Sequence, residues 1–87
     1  MKGCVYFLKD SAGKYYIGST DDLNRRLRQH QLGHTQTTRN MKNPELVFKQ
    51  EFDSLETARK TERKIKNLKR KDYIEKIIND GYIKMTD

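Results

Sequence analysis

Cys4-Val5-Tyr6-Phe7-Leu8, then Asp10-Ser11-Ala12-Gly13, then Lys14-Tyr15-Tyr16-Ile17-Gly18 is the stretch that decides the fold. Two runs of β-branched and aromatic residues flank a cluster of turn formers, which is the pattern of a β-hairpin. A five-residue connection, residues 9–13, places Tyr6 and Tyr16 directly opposite each other on one face, whereas a four-residue connection sends them to opposite faces. Downstream, Thr20 or Ser19 can cap a helix beginning near Asp21 and running roughly over 21–32. Asp21 and Asp22 suit its positive end, Leu23 and Leu27 lie one turn apart, and Gly33 is suited to terminate it. Residues 34–43 are polar and aperiodic, which predicts an exposed loop placed to contact a substrate. After Pro44, Leu46 to Phe52 reads as a third strand, and Asp53 or Ser54 caps a second helix from near Leu55 to Leu68. A break around 69–71 precedes a short last helix carrying Tyr73, Ile74, Ile77 and Ile78 and ending before Gly81. The expected class is α/β (α+β), a small three-stranded antiparallel sheet flanked by two to three helices, in one domain over 1–87 with its core at about 3–78.

Composition narrows the function. A chain of 87 residues has no spare surface for a second core. Nineteen Lys and Arg against twelve Asp and Glu leave a net charge of +7, so the expected partner is a polyanion, with nucleic acid favoured over an acidic membrane. Only 33% of residues are hydrophobic, and the longest apolar run is Cys4 to Leu8, far short of the roughly 20 residues that span a bilayer. Met1-Lys2-Gly3 leads straight into the first strand without the pattern of a signal peptide, so the expected location is cytoplasmic. The single cysteine, Cys4, lies inside an apolar run and reads as a buried structural thiol.

Three groups of residues sit in the wrong chemical place for simple packing. At 100° per residue, Leu55, Ala58, Glu62 and Ile65 fall at about 0°, 300°, 340° and 280°, a single helix face. A carboxylate there is costly unless paired, metal-bound or open to a cleft. Glu62 is therefore either a rim residue bonded to an arginine or a ligand for one Mg²⁺ or Mn²⁺ ion, since these hard cations need only one or two protein carboxylates. Leu23, Arg26, Leu27 and His30 repeat the anomaly at i, i+3, i+4, i+7. Arg26 could clamp phosphate oxygens and His30 could shuttle a proton, or His30 could be a hydrogen-bonded boundary residue. Tyr6 and Tyr16 form either a packed cross-strand pair or, beside a metal or arginine, a source of a phenol that activates water.

The charge itself is concentrated. Residues 59–71 carry Arg59, Lys60, Arg63, Lys64, Lys66, Lys69, Arg70 and Lys71 against Glu62 alone, a local excess equal to the net charge of the whole chain. Such a ridge is either a solvated helix face or a surface for a phosphate backbone, with salt-sensitive affinity and no base reading. Arg39 and Lys42 add cations in the polar loop.

Tyr6, Tyr16, Arg26, His30 and Glu62 together resemble the GIY-YIG nuclease domain, found also at the N-terminus of a DNA-repair excinuclease and in homing endonucleases. Cys4-Val5-Tyr6 stands where the family has Gly-Ile-Tyr, Tyr16-Ile17-Gly18 is a literal YIG, and Arg26 and His30 follow at the family's intervals. The similarity spans about residues 3–78 and is closest to small stand-alone bacterial members. It implies metal-dependent hydrolysis of a DNA phosphodiester, structure-directed in repair or recombination, with Glu62 holding one Mg²⁺ or Mn²⁺ and Arg26 stabilising added negative charge. Tyr6 would activate the attacking water while Tyr16 and His30 orient it or relay its proton. Arg39, Lys42, Arg59, Arg63, Lys64, Lys66, Lys69 and Arg70 would bind DNA, with a protein partner supplying specificity. The competing reading is a binding module for DNA or RNA that keeps the fold without the chemistry. Ser19 stands where a lysine is common in the family, and the family's asparagine beyond the metal glutamate has no clear counterpart, Asn67 falling early and Asn79 late.

Overall fold

The computed structural model describes residues 2–31, 44–68 and 70–83. Strands β1 (Gly3–Lys9) and β2 (Tyr15–Thr20) form the hairpin, followed by α1 (Leu23–Gln31), β3 (Glu45–Phe52), α2 (Leu55–Leu68) and α3 (Lys71–Asp80). The sheet is antiparallel in the order β2-β1-β3, so β1 is central and β2 an edge. This is the α+β architecture expected. The loop at 34–43, with Arg39 and Lys42, lies outside the described residues, as do Gly33 and Lys69.

The hairpin register differs from the one expected. Tyr6 faces Gly18 and Leu8 faces Tyr16, so the two tyrosines share a face as diagonal neighbours rather than as a directly opposed pair. The reason is in the turn, which runs from Asp10 to Lys14 and takes Lys14 out of the returning strand. Asp10 Oδ1 accepts from the amides of Ala12 (3.0 Å) and Lys14 (2.7 Å), and the Asp10 amide donates to the Lys14 carbonyl at 2.9 Å. An aspartate folding the chain onto its own side chain defines the connection more firmly than strand propensity could.

The α1 start is also corrected. Asp22, not Thr20 or Ser19, is the cap: its Oδ1 accepts from the Arg25 amide at 3.0 Å, and its carbonyl accepts from Arg26. Thr20 Oγ1 instead accepts from the Asp22 amide at 3.1 Å and holds the cap in place. The helix therefore begins at Leu23 rather than near Asp21. For α2, Ser54 is the cap, with its Oγ accepting from the Thr57 amide at 3.1 Å. Gly81, left-handed at φ 82°, closes α3 by donating its N–H to the Ile77 carbonyl.

Pleating divides β1 between two layers. Val5 and Phe7 point into the main core with Ile17, Phe48, Ala58, Ile65, Ile77 and Ile83. There the Phe7 and Phe48 rings sit 4.8 Å apart. Full burial of Val5 and Phe7 is worth about 1.5–3 kcal/mol each. Gln50 Oε1 accepts the Ile83 amide at 2.7 Å and ties the last described residues to β3. Cys4, Tyr6 and Leu8 point the other way, toward α1. The expectation for Cys4 holds: the thiol is buried, and burial pushes its pKa up.

Gly18 is the residue that this second layer cannot exchange. A Cβ there would lie 2.5 Å from Tyr6 Oη and 2.6 Å from Cζ, inside any real contact distance. Gly18→Ala must therefore displace the Tyr6 ring, and urea unfolding should show a loss of about 1–3 kcal/mol. A variant of unchanged midpoint would mean that the ring is not packed on the Gly18 backbone.

Candidate active site

Two helices reach the open edge of β2 from opposite faces of the sheet, and the predicted residues meet there. From the β1 face that carries Tyr6 come Tyr16 and, from α1, Arg26 and His30. From the other face come Ser19 and the α2 side chains, because Ser19 pairs with Val5 and so points toward α2. Between them opens a cleft of about 500 Å³ lined by Tyr16, Gly18, Ser19 and Arg26 and, on α2, by Arg59, Glu62, Arg63, Lys66 and Asn67. Those α2 positions are spaced i, i+3, i+4, i+7, i+8, one polar stripe on the helix. Ala58, Thr61 and Ile65 are the buried residues of α2. Glu62 thus sits where the apolar stripe borders the cleft.

The side chains behind the cleft form a connected group. Tyr6 has no exposed surface. Its hydroxyl lies 2.8 Å from His30 Nε2, and Arg26 Nε donates to it at 3.3 Å. Because a guanidinium can only donate, the phenol oxygen accepts from Arg26 and shares one further proton with His30 Nε2, in a direction set by the imidazole tautomer. Burial, and then the Arg26 charge, hold the His30 pKa below its ordinary value. Burial likewise drives the Tyr6 phenol well above its own, although the Arg26 bond works against it. Tyr16 completes the group, its ring 5.1 Å from His30 and 6.1 Å from Tyr6. Arg26 Nη1 also donates to Gln29 Oε1 at 3.0 Å, so the guanidinium is held at two points, and the Tyr6 hydroxyl above all keeps it charged.

Glu62 accepts on both oxygens. Ser19 Oγ donates to Oε1, and Lys66 Nζ lies 2.7 Å from Oε2. Its cationic partner is therefore a lysine one turn along α2, not the arginine expected for a rim residue. Among the described residues no cluster of three or more His, Cys, Asp or Glu exists. A lone carboxylate with a neighbouring hydroxyl suits a divalent ion that retains water and takes phosphate oxygens, and would not satisfy one needing a full protein cage.

The structure sorts the candidates. Tyr16, Arg26 and Glu62 line the cleft together, while Tyr6 and His30 stand behind it and do not line it. Of the DNA-binding candidates, Arg59, Arg63 and Lys66 line the same cleft. Lys64 is exposed on α2 outside it. Arg70 lies at the start of α3 and pairs with Asp72 at 2.8 Å, holding that carboxyl below its usual range. Arg39, Lys42 and Lys69 lie outside the described residues. Three lining residues went unassigned from sequence: Gly18, Ser19 on the strand face opposite Tyr16, and Asn67, whose i+4 spacing from Arg63 was the available signal.

The family model described as the GIY-YIG catalytic domain matches residues 2–77. The chain belongs to the GIY-YIG family, a nuclease family whose characterised enzymes generally depend on a divalent metal. Its relatives include a UPF0213 protein of Yersinia pestis, 38% identical over 77 residues that cover 87% of this chain and 80% of that one. A UPF0213 protein of Vibrio parahaemolyticus is 38% identical over 65 residues, or 74% of this chain, which spans 61% of that relative's length. The solution NMR structure of the UPF0213 protein BH0048 from Bacillus halodurans superposes with a TM-score of 0.59 at 32% identity, covering 93% of this chain and 87% of that one. Among the described residues no helix is long and apolar enough to cross a membrane.

The lowered His30 pKa carries a pH dependence of stability. The unfolded chain takes up this proton more readily than the folded one, so the contribution is fully present above about pH 6.5 and is lost as pH falls through the depressed folded value. The urea midpoint should drop between about pH 7.5 and pH 5, and His30→Gln, which can still hydrogen-bond Tyr6 but does not titrate, should flatten that slope. Equal slopes in the two proteins would remove His30 as the titrating group.

Proposed function

We propose that this chain hydrolyses a DNA phosphodiester at the β2-edge cleft with one divalent ion held by Glu62. The observation that carries the reading is convergence: Tyr16, Arg26 and Glu62 come from three elements and two faces of the sheet, yet line one cleft together with Arg59 and Arg63. Packing alone gives no reason for a carboxylate and three guanidinium groups to share a wall. Magnesium or manganese, when bound, would polarise the phosphate and stabilise the leaving oxygen. Arg26, fixed by Tyr6 and Gln29, would meet the charge that grows on the phosphate without having to reorganise.

Of the two tyrosines, Tyr16 is favoured for the water-facing role because it lines the cleft, whereas Tyr6 is enclosed and its phenol is harder to ionise. Tyr6 and His30 would then orient Tyr16 and Arg26 from behind, joined by their 2.8 Å contact. Arg59 and Arg63, cleft-lining guanidinium groups on one turn of α2, would hold flanking phosphates. Such contacts read backbone path rather than base sequence, which suits structure-directed cutting in repair or recombination.

The test is cleavage of labelled duplex, single-stranded, flap and branched DNA with Mg²⁺ or Mn²⁺. Glu62→Gln should abolish cutting while leaving DNA affinity in chelator nearly unchanged. Arg26→Ala should slow cutting by about 10²–10³-fold with little change in affinity. Charge reversal of Arg59 and Arg63 should instead weaken binding and shallow its salt slope by about two. Cutting that survives in Glu62→Gln would refute the assignment. No cutting of any substrate, with tight salt-sensitive binding by all variants, would make the chain a binding module.

A further inference from the structure

The cation resting on Glu62 belongs to the same helix and is the more exposed half of the pair. Lys66 is 48% exposed at its side chain and Glu62 only 19%. The carboxylate is anchored by Ser19 at Oε1, so Lys66 covers the remaining oxygen, Oε2. A four-carbon stem lets an ammonium change partner without moving the helix. Lys66 Nζ also lies 5.7 Å over the Tyr16 ring, so the two side chains that bracket the floor of the cleft are both in its reach. A divalent cation approaching Glu62 in the free protein would meet this ammonium on the oxygen it needs and the guanidinium groups of Arg26, Arg59 and Arg63 around it. A phosphodiester entering the same cleft offers Lys66 a second anion.

We infer that Lys66 is a positioning residue that covers Glu62 while the cleft is empty and uncovers it when a DNA phosphate takes the ammonium, so that nucleic acid and divalent cation bind cooperatively. This rests on Glu62 being the metal ligand. Linkage makes the coupling reciprocal: whatever factor DNA adds to metal affinity, metal adds to DNA affinity. Free metal alone would then load the protein weakly, and loading would follow substrate.

Calorimetry of Mn²⁺ binding tests this without reference to turnover, using the intact chain alone and with a phosphorothioate duplex that resists hydrolysis. Lys66→Met should bind Mn²⁺ about five-fold tighter than wild type in the absence of DNA, the size of a lost competing ion pair. The duplex should tighten Mn²⁺ binding to wild type and do so much less in Lys66→Met. Lys60→Met is the matched control, since Lys60 forms an i,i+4 pair with Glu56 on the same helix outside the cleft. Equal Mn²⁺ affinity in wild type and Lys66→Met, with Glu62→Gln silent, would overturn the role of Lys66 and leave the nuclease reading standing. Equal tightening by Lys60→Met and Lys66→Met would reduce the effect to net charge and overturn it as well. Mn²⁺ bound by Glu62→Gln as well as by wild type, with and without duplex, would strike at the reading of Glu62 itself.

Discussion

The buried contact between the Tyr6 hydroxyl and His30 Nε2, 2.8 Å long, is the interaction on which the layer behind the cleft depends. It joins the central strand to the last turn of α1 through a phenol and an imidazole that are both out of solvent. The contact offsets part of the cost of burying two polar groups, since each such group left without a partner would cost about 1–3 kcal/mol. The contact in turn requires a residue without a side chain opposite Tyr6, which is Gly18. Gly18 stands there because Asp10 closes the hairpin at Lys14 and sets the register. A turn aspartate, an edge glycine and a buried phenol thus form one chain of cause from local sequence to the placement of Arg26, whose Nε rests on the same hydroxyl.

An edge strand is a place where unpaired backbone normally invites aggregation. Here β2 gains a different use. Because successive residues of a strand point to opposite faces, Tyr16 and Ser19 address different helices although only three positions separate them. A site built at the middle of a sheet could draw on one face only. At the edge, side chains from α1 and α2 converge around the strand, and the cleft inherits an arginine from one layer and a carboxylate from the other.

Much of this was legible in the sequence because the anomalies were local and periodic. Arg26 and His30 at helical spacing with Leu23 and Leu27, and Glu62 inside the stripe of Ala58 and Ile65, announce helix faces that border something other than core. The caps were less legible, since Thr20, Asp21 and Asp22 are all competent, and only the turn that Thr20 makes with the Asp22 amide selects Asp22. The tyrosine geometry depended on whether the five-residue connection sits at 9–13 or 10–14, and propensity does not decide which of Lys9 and Lys14 belongs to a strand. The partner of Glu62 was hidden for a different reason: a run of cations offers several bonding partners at similar spacing, and the one chosen follows from which face the cleft leaves open.

Electrostatics gives the cleft its direction. Three arginines and a lysine surround one carboxylate, so the local field is positive even with the Lys66–Glu62 pair intact. A polyanion is drawn into such a field and a free divalent cation is not, and salt screens both effects because the cleft is open to solvent. The same residues that attract a phosphate backbone therefore oppose the ion that the family's chemistry uses, until the phosphate itself supplies negative charge. A single carboxylate amid guanidinium groups would be a poor metal site in isolation and a better one beside a phosphodiester, so a substrate phosphate would count among the ligands of an ion held there.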